Sequence, residues 1–230
     1  MKIALLGKGK TGGKVLELLK EKNIPHTVFD TSNNPSMETM RGHDVVISFL
    51  PGDAFKSYIP LLLDTKIPVI CGSTGMSWPL NFDQSLKNLG LKWIYATNFS
   101  LGMNLVHQMI LVMKQASKLF DDYKFNLHEV HHIKKLDSPS GTALSWEKWL
   151  GHKIDITSER IGDVTGIHEL VLSTPDESIS LKHVALDRKI FASGALFAAD
   201  KIVKNNLAPG LHLFQDIVQN ELTTKQGNNI

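Results

Sequence analysis

The sequence predicts an α/β protein, with an N-terminal Rossmann-type doubly wound parallel sheet and a C-terminal α+β domain that has an open, mostly antiparallel sheet. Short, continuously apolar segments alternate with helical segments up to about Gly102, which is typical of a parallel sheet covered by helices. A glycine-rich loop follows the first apolar segment. Beyond Gly102 this alternation stops, and longer segments of alternating polar and apolar residues predict antiparallel strands. We therefore place a domain boundary near Gly102.

The composition is that of an ordinary globular protein and argues against several functional classes. Of 230 residues, 42% are hydrophobic and 21% are charged, so the chain can bury a substantial core. The net charge of +2 is too small to indicate nucleic-acid binding. The single cysteine, Cys71, excludes an intramolecular disulfide, and no apolar run reaches the length of a membrane span. Since the N-terminus has no signal-peptide pattern, we expect a cytoplasmic protein without membrane or nucleic-acid partners.

The first strand and helix enclose the glycine-rich loop. Ile3-Ala4-Leu5-Leu6 is a short apolar strand, Gly7-Lys8-Gly9-Lys10-Thr11-Gly12 follows it, and helical periodicity comes next. The three glycines allow a tight turn, a close approach of a pyrophosphate, and close packing of helix on strand. A second strand at 27–29 ends at Asp30, at about the distance expected for an acid that binds a ribose hydroxyl. The pattern predicts dinucleotide binding, and the alternative is a glycine-rich turn that binds nothing.

Asp30 also bears on which nicotinamide cofactor is used. Its carboxylate repels the 2′-phosphate of NADP, which gives a modest preference for NADH over NADPH. The choice stays open, because Lys8, Lys10 or Arg41 can approach that phosphate from another side.

The later strands of the first domain bring further loops to the same edge. Strands are predicted at 44–50, 68–71 and 91–95, and helices at 54–63 and 101–120. Gly72-Ser73-Thr74-Gly75 is a small-residue turn suited to a nicotinamide or its ribose, although it can equally be a plain connection. Cys71 lies inside an apolar run, so we interpret it as a core residue.

The second domain opens with a strand whose apolar face becomes ionisable. Apolar and polar residues alternate over 123–127, and Glu129, His131 and Lys135 continue the apolar face. This change predicts a functional site at the end of the strand.

A helix start follows that strand. Asp137 and Ser140 are good cap residues, Pro139 cannot continue a strand interior, and Gly141-Thr142-Ala143 leads into an apolar helix. A helix N-terminus offers unpaired N–H groups and a partial positive charge, and Gly141 lets an anion approach the backbone. The sequence therefore predicts a carboxylate-binding site here.

The remaining chain is predicted to alternate strands with closing helices. Strands are expected at 160–168, 168–174 and 178–186. A helix is expected at 189–204 after a few extended residues, and 209–218 is expected to be a closing helical segment.

The histidines also allow other interpretations. His128 lies on the opposite strand face from His131, so we interpret it as an ordinary polar residue. The adjacent His131 and His132 make a metal hydrolase one alternative. However, no histidine pair has the helical i, i+4 spacing, no second cysteine is present, and Lys135 repels a cation, so no metal is expected.

Together these motifs resemble one family, dihydrodipicolinate reductase, now called 4-hydroxy-tetrahydrodipicolinate reductase. The segment Glu129-Val130-His131-His132-x-x-Lys135-x-Asp137-x-Pro139-Ser140-Gly141-Thr142-Ala143 is similar to the family's signature nearly residue for residue. Supporting similarities are the glycine loop, Gly72-Ser73-Thr74-Gly75, Ala96-Thr97-Asn98-Phe99-Ser100-x-Gly102-x-Asn104 and Arg160-x-Gly162-Asp163-x-x-Gly166-x-His168.

The resemblance implies a role for each motif. His131 is expected to be the general acid that protonates a substrate carbon, with Lys135 as a second donor and carboxylate partner. A dicarboxylate substrate is expected to be bound by His132, Ser140, Gly141 and Thr142. The nicotinamide cofactor, NADH or NADPH, is expected to be held by Gly7, Lys8, Gly9, Lys10, Thr11, Gly12, Asp30, Gly72, Ser73, Thr74, Ala96, Thr97, Asn98 and Phe99.

The resemblance also implies a reaction and an assembly. NAD(P)H is expected to deliver a hydride to the ring of a cyclic unsaturated imine dicarboxylate, giving tetrahydrodipicolinate in lysine and diaminopimelate synthesis. The electron-rich enamine that results needs a proton on carbon, which suits an acid titrating near neutrality. A homotetramer is expected to assemble through the sheets of the second domain. We assign residues 1–101 and 207–230 to a dinucleotide-binding domain, and 102–206 to a substrate-binding and oligomerisation domain.

Two other functions remain compatible with the sequence. A nicotinamide dehydrogenase of another small acid would keep Ser140-Gly141-Thr142 but would not need a second carboxylate site. A non-catalytic dinucleotide sensor would keep Gly7 to Gly12 and would have no reason to hold His131 beside Lys135.

Overall fold

The structure is a computed structural model that describes residues 1–204 and 207–223. The chain forms two compact units: unit 1 comprises Met1–Leu101 and the segment from Lys189 onward, and unit 2 comprises Gly102–Arg188. Unit 2 therefore ends at Arg188 and not at the expected residue 206. The reason is that small buried residues such as Ala195 pack the helix that begins at Lys189 into a core of unit 1. The roles assigned to the two domains stay predictions.

Unit 1 is built on a parallel sheet. Its strands are β1 (Ile3–Leu6), β2 (His26–Phe29), β3 (Val45–Ser48), β4 (Val69–Cys71), β5 (Lys92–Tyr95) and β10 (Gly210–Leu213). Its helices are α1 (Lys10–Glu21), α2 (Met37–Met40), α3 (Gly52–Thr65), α4 (Phe82–Leu89), α7 (Lys189–Lys204) and α8 (Phe214–Thr223). The strand order is β10-β5-β4-β3-β1-β2, and every neighbouring pair is parallel.

This sheet has a hydrophobic core on each face, as predicted for a doubly wound fold. Within β1, Ile3 and Leu5 belong to one core and Ala4 and Leu6 to the other, because successive side chains point to opposite faces. The order of the strands reverses beside β1, which pairs with β2 on one side and β3 on the other. In such sheets ligands bind at the carboxyl ends of the strands near this reversal.

The structure corrects one predicted element of unit 1 and one that lies almost entirely in unit 2. The segment 209–218 was expected to be helical, but its first part is β10, which pairs with β5 so that Leu211 lies opposite Trp93. The hydrogen bonds that β10 gains at the sheet edge outweigh its weak helical pattern. The helix expected at 101–120 is α5 (Leu101–Met113), followed by a 3₁₀ segment at Lys114–Lys118.

Unit 2 contains a four-stranded mixed sheet. Its strands are β6 (Lys124–His131), β7 (Asp155–Arg160), β8 (Gly166–Ser173) and β9 (Ser178–Ala185), in the order β7-β6-β8-β9. The pairs β6–β8 and β8–β9 are antiparallel, which confirms the open, mostly antiparallel sheet. The prediction of a strand at 160–168 is wrong, because β7 ends at Arg160, β8 starts at Gly166, and a connection lies between them. Strand β7 runs parallel to β6, because helix α6 (Gly141–Leu150) forms the crossover between them.

The two faces of this sheet differ. One face packs Leu127, Leu170 and other apolar residues against Trp146 of α6 and Ile110 of α5. The other face, which we call the open face, carries three rows across β6, β8 and β9: Asn126, Val171 and Ser180; His128, Glu169 and Lys182; and Val130, Ile167 and Val184. Throughout 1–204 and 207–223, none of the helices is both long and apolar enough to cross a membrane.

Candidate active site

The end of β6 carries the ionisable side chains expected from the sequence. Phe125 and Leu127 are buried in the core of unit 2, and the next residues on the same face, Glu129 and His131, are buried as well, with 0% and 7% exposure. The side-chain period of two in a strand produces this alignment. The face therefore changes from apolar to ionisable over one strand.

Glu129 is the centre of the hydrogen-bond network. Its Oε1 accepts from both terminal nitrogens of Arg160, each at 3.0 Å, and from the backbone N–H of Ser140 at 3.3 Å. Its Oε2 lies in a short contact with Nδ1 of His131. Burial alone would raise the pKa of Glu129, but hydrogen bonds from Ser158, Arg160 and His131 hold that pKa below its ordinary value. Glu129 is therefore an ionised, buried carboxylate.

This carboxylate fixes the tautomer of His131. An ionised carboxylate only accepts hydrogen bonds, so Nδ1 of His131 carries a hydrogen and Nε2 is the atom left for a ligand. Nε2 lies against Gly166, where an added Cβ would come within 3.0 Å of it. Burial lowers the pKa of His131, the bond to Glu129 opposes this shift, and the positive charges of Lys135 and Arg160 add to it. Protonated His131 is thus a stronger acid than an ordinary imidazolium.

Helix α6 begins beside this pair, as predicted. Ser140 is its N-cap, and its hydroxyl accepts the N–H of Ala143 at 3.2 Å and bonds Nε2 of His168 at 3.0 Å. Ser140 is 1% exposed, so its polar atoms organise the site and its hydroxyl is not free for a substrate. The hydrogen bonds of this first turn do not use the N–H of Thr142. That amide is the group of the helix terminus best placed to bind an anion.

Lys135 and Gly141 are both engaged by Asp137. The Lys135 Nζ lies 2.8 and 2.9 Å from the two carboxylate oxygens of Asp137. The N–H of Gly141 donates to Asp137 Oδ2 at 3.3 Å. Lys135 holds the pKa of the Asp137 carboxyl below its usual range. The two groups expected to bind a substrate carboxylate thus already share a carboxylate of the protein.

His132 follows the strand and is half-buried. Its Nδ1 is buried and has no hydrogen-bond partner among the described residues. A buried polar nitrogen without a partner costs free energy, so a ligand that pairs with it gains affinity. This observation agrees with the substrate contact expected for His132.

The sequence placed Glu129 on the ionisable face of the strand without assigning it a role, and it assigned no site role to Arg160 or His168, although all three belong to the motifs that carry the family resemblance. The strand pairing explains why they meet, because Glu129 lies opposite His168 on β8 and His131 lies opposite Arg160 on β7. His168 is 3% exposed, and burial lowers its pKa to about 3, so it is neutral near pH 7. Knowledge of the strand register would have been needed to bring Arg160 and His168 beside Glu129 and His131.

Three of these side chains have the geometry of a metal site. Potential ligand atoms of Glu129, His131 and His168 lie within 4.8 Å of one another. However, Arg160 already binds Glu129, and its guanidinium adds a positive charge beside the site. The bond to Glu129 and the charge of Arg160 therefore oppose the binding of a cation by these three side chains.

Unit 1 has the features of a dinucleotide-binding loop. Gly7 has a φ of +82°, and a Cβ on Gly12 would lie 2.3 Å from the carbonyl oxygen of Gly7, so α1 packs too closely on the loop for any side chain. A Cβ on Gly9 would meet no atom of the described residues within 4 Å. The N-cap Gly9 provides no side-chain cap to α1, whose first turn contains Lys10, Thr11 and Gly12. The open space and the uncapped amides fit a pyrophosphate.

Asp30 follows β2, and both of its carboxylate oxygens have hydrogen-bond or ion-pair partners. Its Oδ2 lies 2.8 Å from Nζ of Lys8. Its Oδ1 accepts from the backbone N–H and hydroxyl of Ser32 at 2.8 and 2.6 Å and from the N–H of Asn33 at 3.2 Å. Lys8 and Ser32 hold the pKa of Asp30 far below its ordinary value. Asp30 is therefore ionised, and Lys8 compensates its charge.

The other expected cofactor residues follow β4 and β5. A Cβ on Gly72 would lie 2.2 Å from the Phe49 ring, Ser73 is fully buried, and Thr74 is exposed. After β5, Ala96 and Asn98 are half-buried and Thr97 is exposed. Phe99 is 1% exposed and packs on Phe214, with ring centroids 4.7 Å apart, so its side chain lies in the core. Cys71 is also buried, and burial raises the pKa of its thiol to about 11.

The parallel sheet accounts for how these loops meet. The loops at Gly7, Asp30, Gly72 and Ala96 follow the carboxyl ends of β1, β2, β4 and β5, which lie at one edge of the sheet. The structure thus brings the four predicted segments to the edge at which doubly wound sheets bind dinucleotides.

Comparison with known proteins gives a consistent result. Residues 102–218 match the family model described as "Dihydrodipicolinate reductase, C-terminus". The 4-hydroxy-tetrahydrodipicolinate reductase of Thermosipho africanus is 31% identical over 95% of this chain and 98% of its own length, and that of Bdellovibrio bacteriovorus is 28% identical over 95% and 96%. A dipicolinate-bound dihydrodipicolinate reductase from Paenisporosarcina sp. TG-14 shares the fold, with a TM-score of 0.75, 20% identity, and coverage of 94% of this chain and 99% of that one.

Proposed function

The chain belongs to the dihydrodipicolinate reductase family, and on that premise we propose that it reduces 4-hydroxy-tetrahydrodipicolinate to tetrahydrodipicolinate with NAD(P)H, in lysine and diaminopimelate synthesis. In this reaction the 4-hydroxyl and a ring hydrogen leave as water, and the unsaturated ring that results gains a hydride and a proton. The observation that carries the proposal is the buried pair of Glu129 and His131 next to the N-terminus of α6. His131 provides an acid, and the N-terminus of α6 provides a binding site for an anionic group of the same ligand.

We assign proton delivery to His131. Glu129 occupies Nδ1, so the proton that reaches the substrate carbon leaves from Nε2. Arg160 and the N–H of Ser140 hold Glu129 in place and keep it ionised. When His131 has lost its proton it is a neutral imidazole, and its bond to Glu129 offsets part of the effect of burial, which opposes reprotonation.

We assign the substrate carboxylates to the end of α6 and the residues before it. The N–H of Thr142, which has no acceptor among the described residues, and the partial positive charge of the helix terminus attract one carboxylate. His132 supplies a buried nitrogen that has no partner in the described part of the chain. Lys135 and the N–H of Gly141 complete the expected set, while Ser140 contributes by capping the helix.

We assign the nicotinamide cofactor to the loops at the carboxyl edge of the unit 1 sheet. When bound, the reduced nicotinamide supplies the hydride. Asp30 favours NADH over NADPH by repelling a 2′-phosphate, but the Lys8 ammonium at 2.8 Å offsets much of that repulsion. We therefore propose that NADH is preferred by only a small factor.

We also propose that four copies assemble through the open face of the unit 2 sheet. The face combines apolar residues such as Val171 and Val184, the latter 44% exposed, with paired charges such as Glu169 and Lys182 at 3.3 Å. A sheet face of this composition is suited to a second copy of the same face. The expected cytoplasmic location stays a prediction.

A coupled assay tests the reaction. The purified protein is mixed with 4-hydroxy-tetrahydrodipicolinate freshly made by the preceding synthase, and the absorbance of NADH or NADPH is followed in parallel reactions. We expect oxidation of both cofactors that requires the substrate, with NADH somewhat faster. Cofactor binding without oxidation would favour the sensor interpretation, and oxidation with another small acid alone would favour a different dehydrogenase.

A further inference from the structure

A carboxylate of the protein lies on the groups assigned to a substrate carboxylate. Asp137 receives hydrogen bonds from Nζ of Lys135 at both oxygens, and Oδ2 also accepts the N–H of Gly141 at 3.3 Å. A cation on one side and a helix-terminal amide on the other are the contacts that a bound carboxylate would make. Asp137 thus reproduces, within the chain, the interactions of the expected ligand.

The side chain of Asp137 is able to leave these contacts. Its side chain is 57% exposed, whereas the side chain of Lys135 is only 22% exposed. The backbone of Asp137 is held separately, because its carbonyl accepts from Arg160 at 2.6 Å. A rotation of the side chain into water would therefore free Lys135 and Gly141 while the loop keeps its place. Exposed ion pairs are weak enough to be exchanged by a ligand.

We propose that Asp137 is an internal competitor that occupies the carboxylate site until a substrate carboxylate displaces it, and that it thereby sets the affinity of the site for anions. The inference rests on the proposed function, since it takes Lys135 and Gly141 to be substrate contacts. Because the carboxyl of Asp137 has a lowered pKa, it competes as an anion throughout the neutral range. To displace Asp137, a ligand has to interact more strongly than Asp137 with Lys135 and the N-terminus of α6. A dicarboxylate, which can make contacts with both carboxylates, does so better than a monocarboxylate.

A different role for Asp137 makes the opposite prediction. If Asp137 only orients Lys135 for the substrate, its removal leaves Lys135 unguided and weakens ligand binding. If it competes, its removal strengthens binding by about twofold to fivefold, the range given by exposed ion pairs. The direction of the change in affinity therefore separates competition from positioning.

The test measures binding of pyridine-2,6-dicarboxylate by calorimetry to the full chain with saturating NADH. Wild type is compared with Asp137→Asn and with Asp137→Ala, which removes the remaining polar contact to Gly141. The matched control is Glu147→Gln near the other end of α6. Like Asp137, Glu147 accepts hydrogen bonds from a lysine and from a backbone N–H, namely Lys153 Nζ at 3.0 Å and the N–H of Ile154 at 3.2 Å.

We expect both Asp137 variants to bind the dicarboxylate more tightly than wild type, and Glu147→Gln to match wild type. Affinity that is unchanged or weaker in both Asp137 variants, with wild type binding normally, would overturn the inference and leave the proposed function intact. An equal gain in Glu147→Gln would show a general effect of charge and would also overturn it. A wild-type protein that does not bind the dicarboxylate at all would contradict the proposed site itself.

Discussion

His168 shows what burial does to a single titratable residue in this site. It is 3% exposed, its Nε2 bonds the hydroxyl of Ser140, and burial lowers its pKa to about 3. In the unfolded chain its pKa returns to about 6.5. The unfolded state therefore binds one proton more than the folded state between these values. The stability that neutral His168 contributes is fully present above pH 6.5 and is lost as the pH falls toward 3.

We predict that His168→Gln makes the protein less sensitive to acid. For one proton the free energy of unfolding falls by at most about 1.4 kcal/mol per pH unit, and the variant lacks this contribution. Denaturant unfolding at pH 7, 6 and 5 measures the slope. His152→Gln is the control, because His152 is exposed and lies in the same unit. Equal slopes in wild type and His168→Gln would contradict the prediction.

At this scale the sequence identifies residues but not their contacts. The motif indicated His131, Lys135 and the start of α6, and the structure places them along one short segment. It did not indicate that Glu129 binds Arg160, because they lie on strands whose register no local pattern encodes. Nor did it indicate that Asp137, which was interpreted as a cap residue, accepts hydrogen bonds from both Lys135 and the N–H of Gly141.

At the scale of elements, the packing of α1 on β1 depends on one glycine. A Cβ at Gly12 would lie 2.3 Å from the carbonyl oxygen of Gly7, and backbone on both sides leaves no flexible group to yield. The neighbouring Gly13 is different, because its Cβ would make an ordinary contact of 3.6 Å with the carbonyl oxygen of Lys8. The two glycines thus separate the effect of close packing from that of helix propensity.

We predict opposite effects for the two substitutions. Gly12→Ala should displace α1, lower the free energy of unfolding by about 1–3 kcal/mol and weaken NADH binding. Gly13→Ala should raise that free energy by about 0.5–1 kcal/mol, because alanine is the better helix former. Chemical denaturation of both variants measures the free energy of unfolding, and titration with NADH measures cofactor binding. Equal stability of the two would mean that α1 does not pack as closely as described.

The elements that the sequence missed share a physical cause. Strands β7 and β10 lie at edges of their sheets and have no continuous apolar run, so only their pairing partners make them strands. Strands β1 and β4 are buried on both faces, and their apolar runs predicted them correctly. The edge strands β2 and β9 were nevertheless predicted, so a strand is missed when it lacks an apolar or alternating pattern of its own and depends on its pairing partner.

At the scale of the whole molecule, the open face of unit 2 is expected to bring copies together. Val171 lies in its first row, between Asn126 on β6 and Ser180 on β9. A lysine there would place a charge in each interface, and burying an unpaired charge costs several kcal/mol. We predict that wild type is a tetramer and that Val171→Lys dissociates it. Light scattering after size-exclusion chromatography measures the mass.

The control for assembly is Leu119→Lys, which adds the same charge at a residue that is 77% exposed and outside the sheet. A monomeric wild type, or a Val171→Lys variant that keeps the mass of wild type, would contradict assembly through the open face. No pattern in the sequence indicates this surface directly, because half-buried residues alternate along β8 as they would in any strand with one covered face. Its expected role came from the family resemblance alone.

The most direct test of the whole account is the turnover of His131→Gln. Glutamine keeps a polar group of similar reach but cannot deliver the proton that His131 holds beside Glu129. We predict that turnover of 4-hydroxy-tetrahydrodipicolinate falls by about two to four orders of magnitude, while NADH binding and the activity of the His152→Gln control stay as in wild type. A His131→Gln variant whose turnover remains within a few-fold of wild type would show that the proton comes from another group.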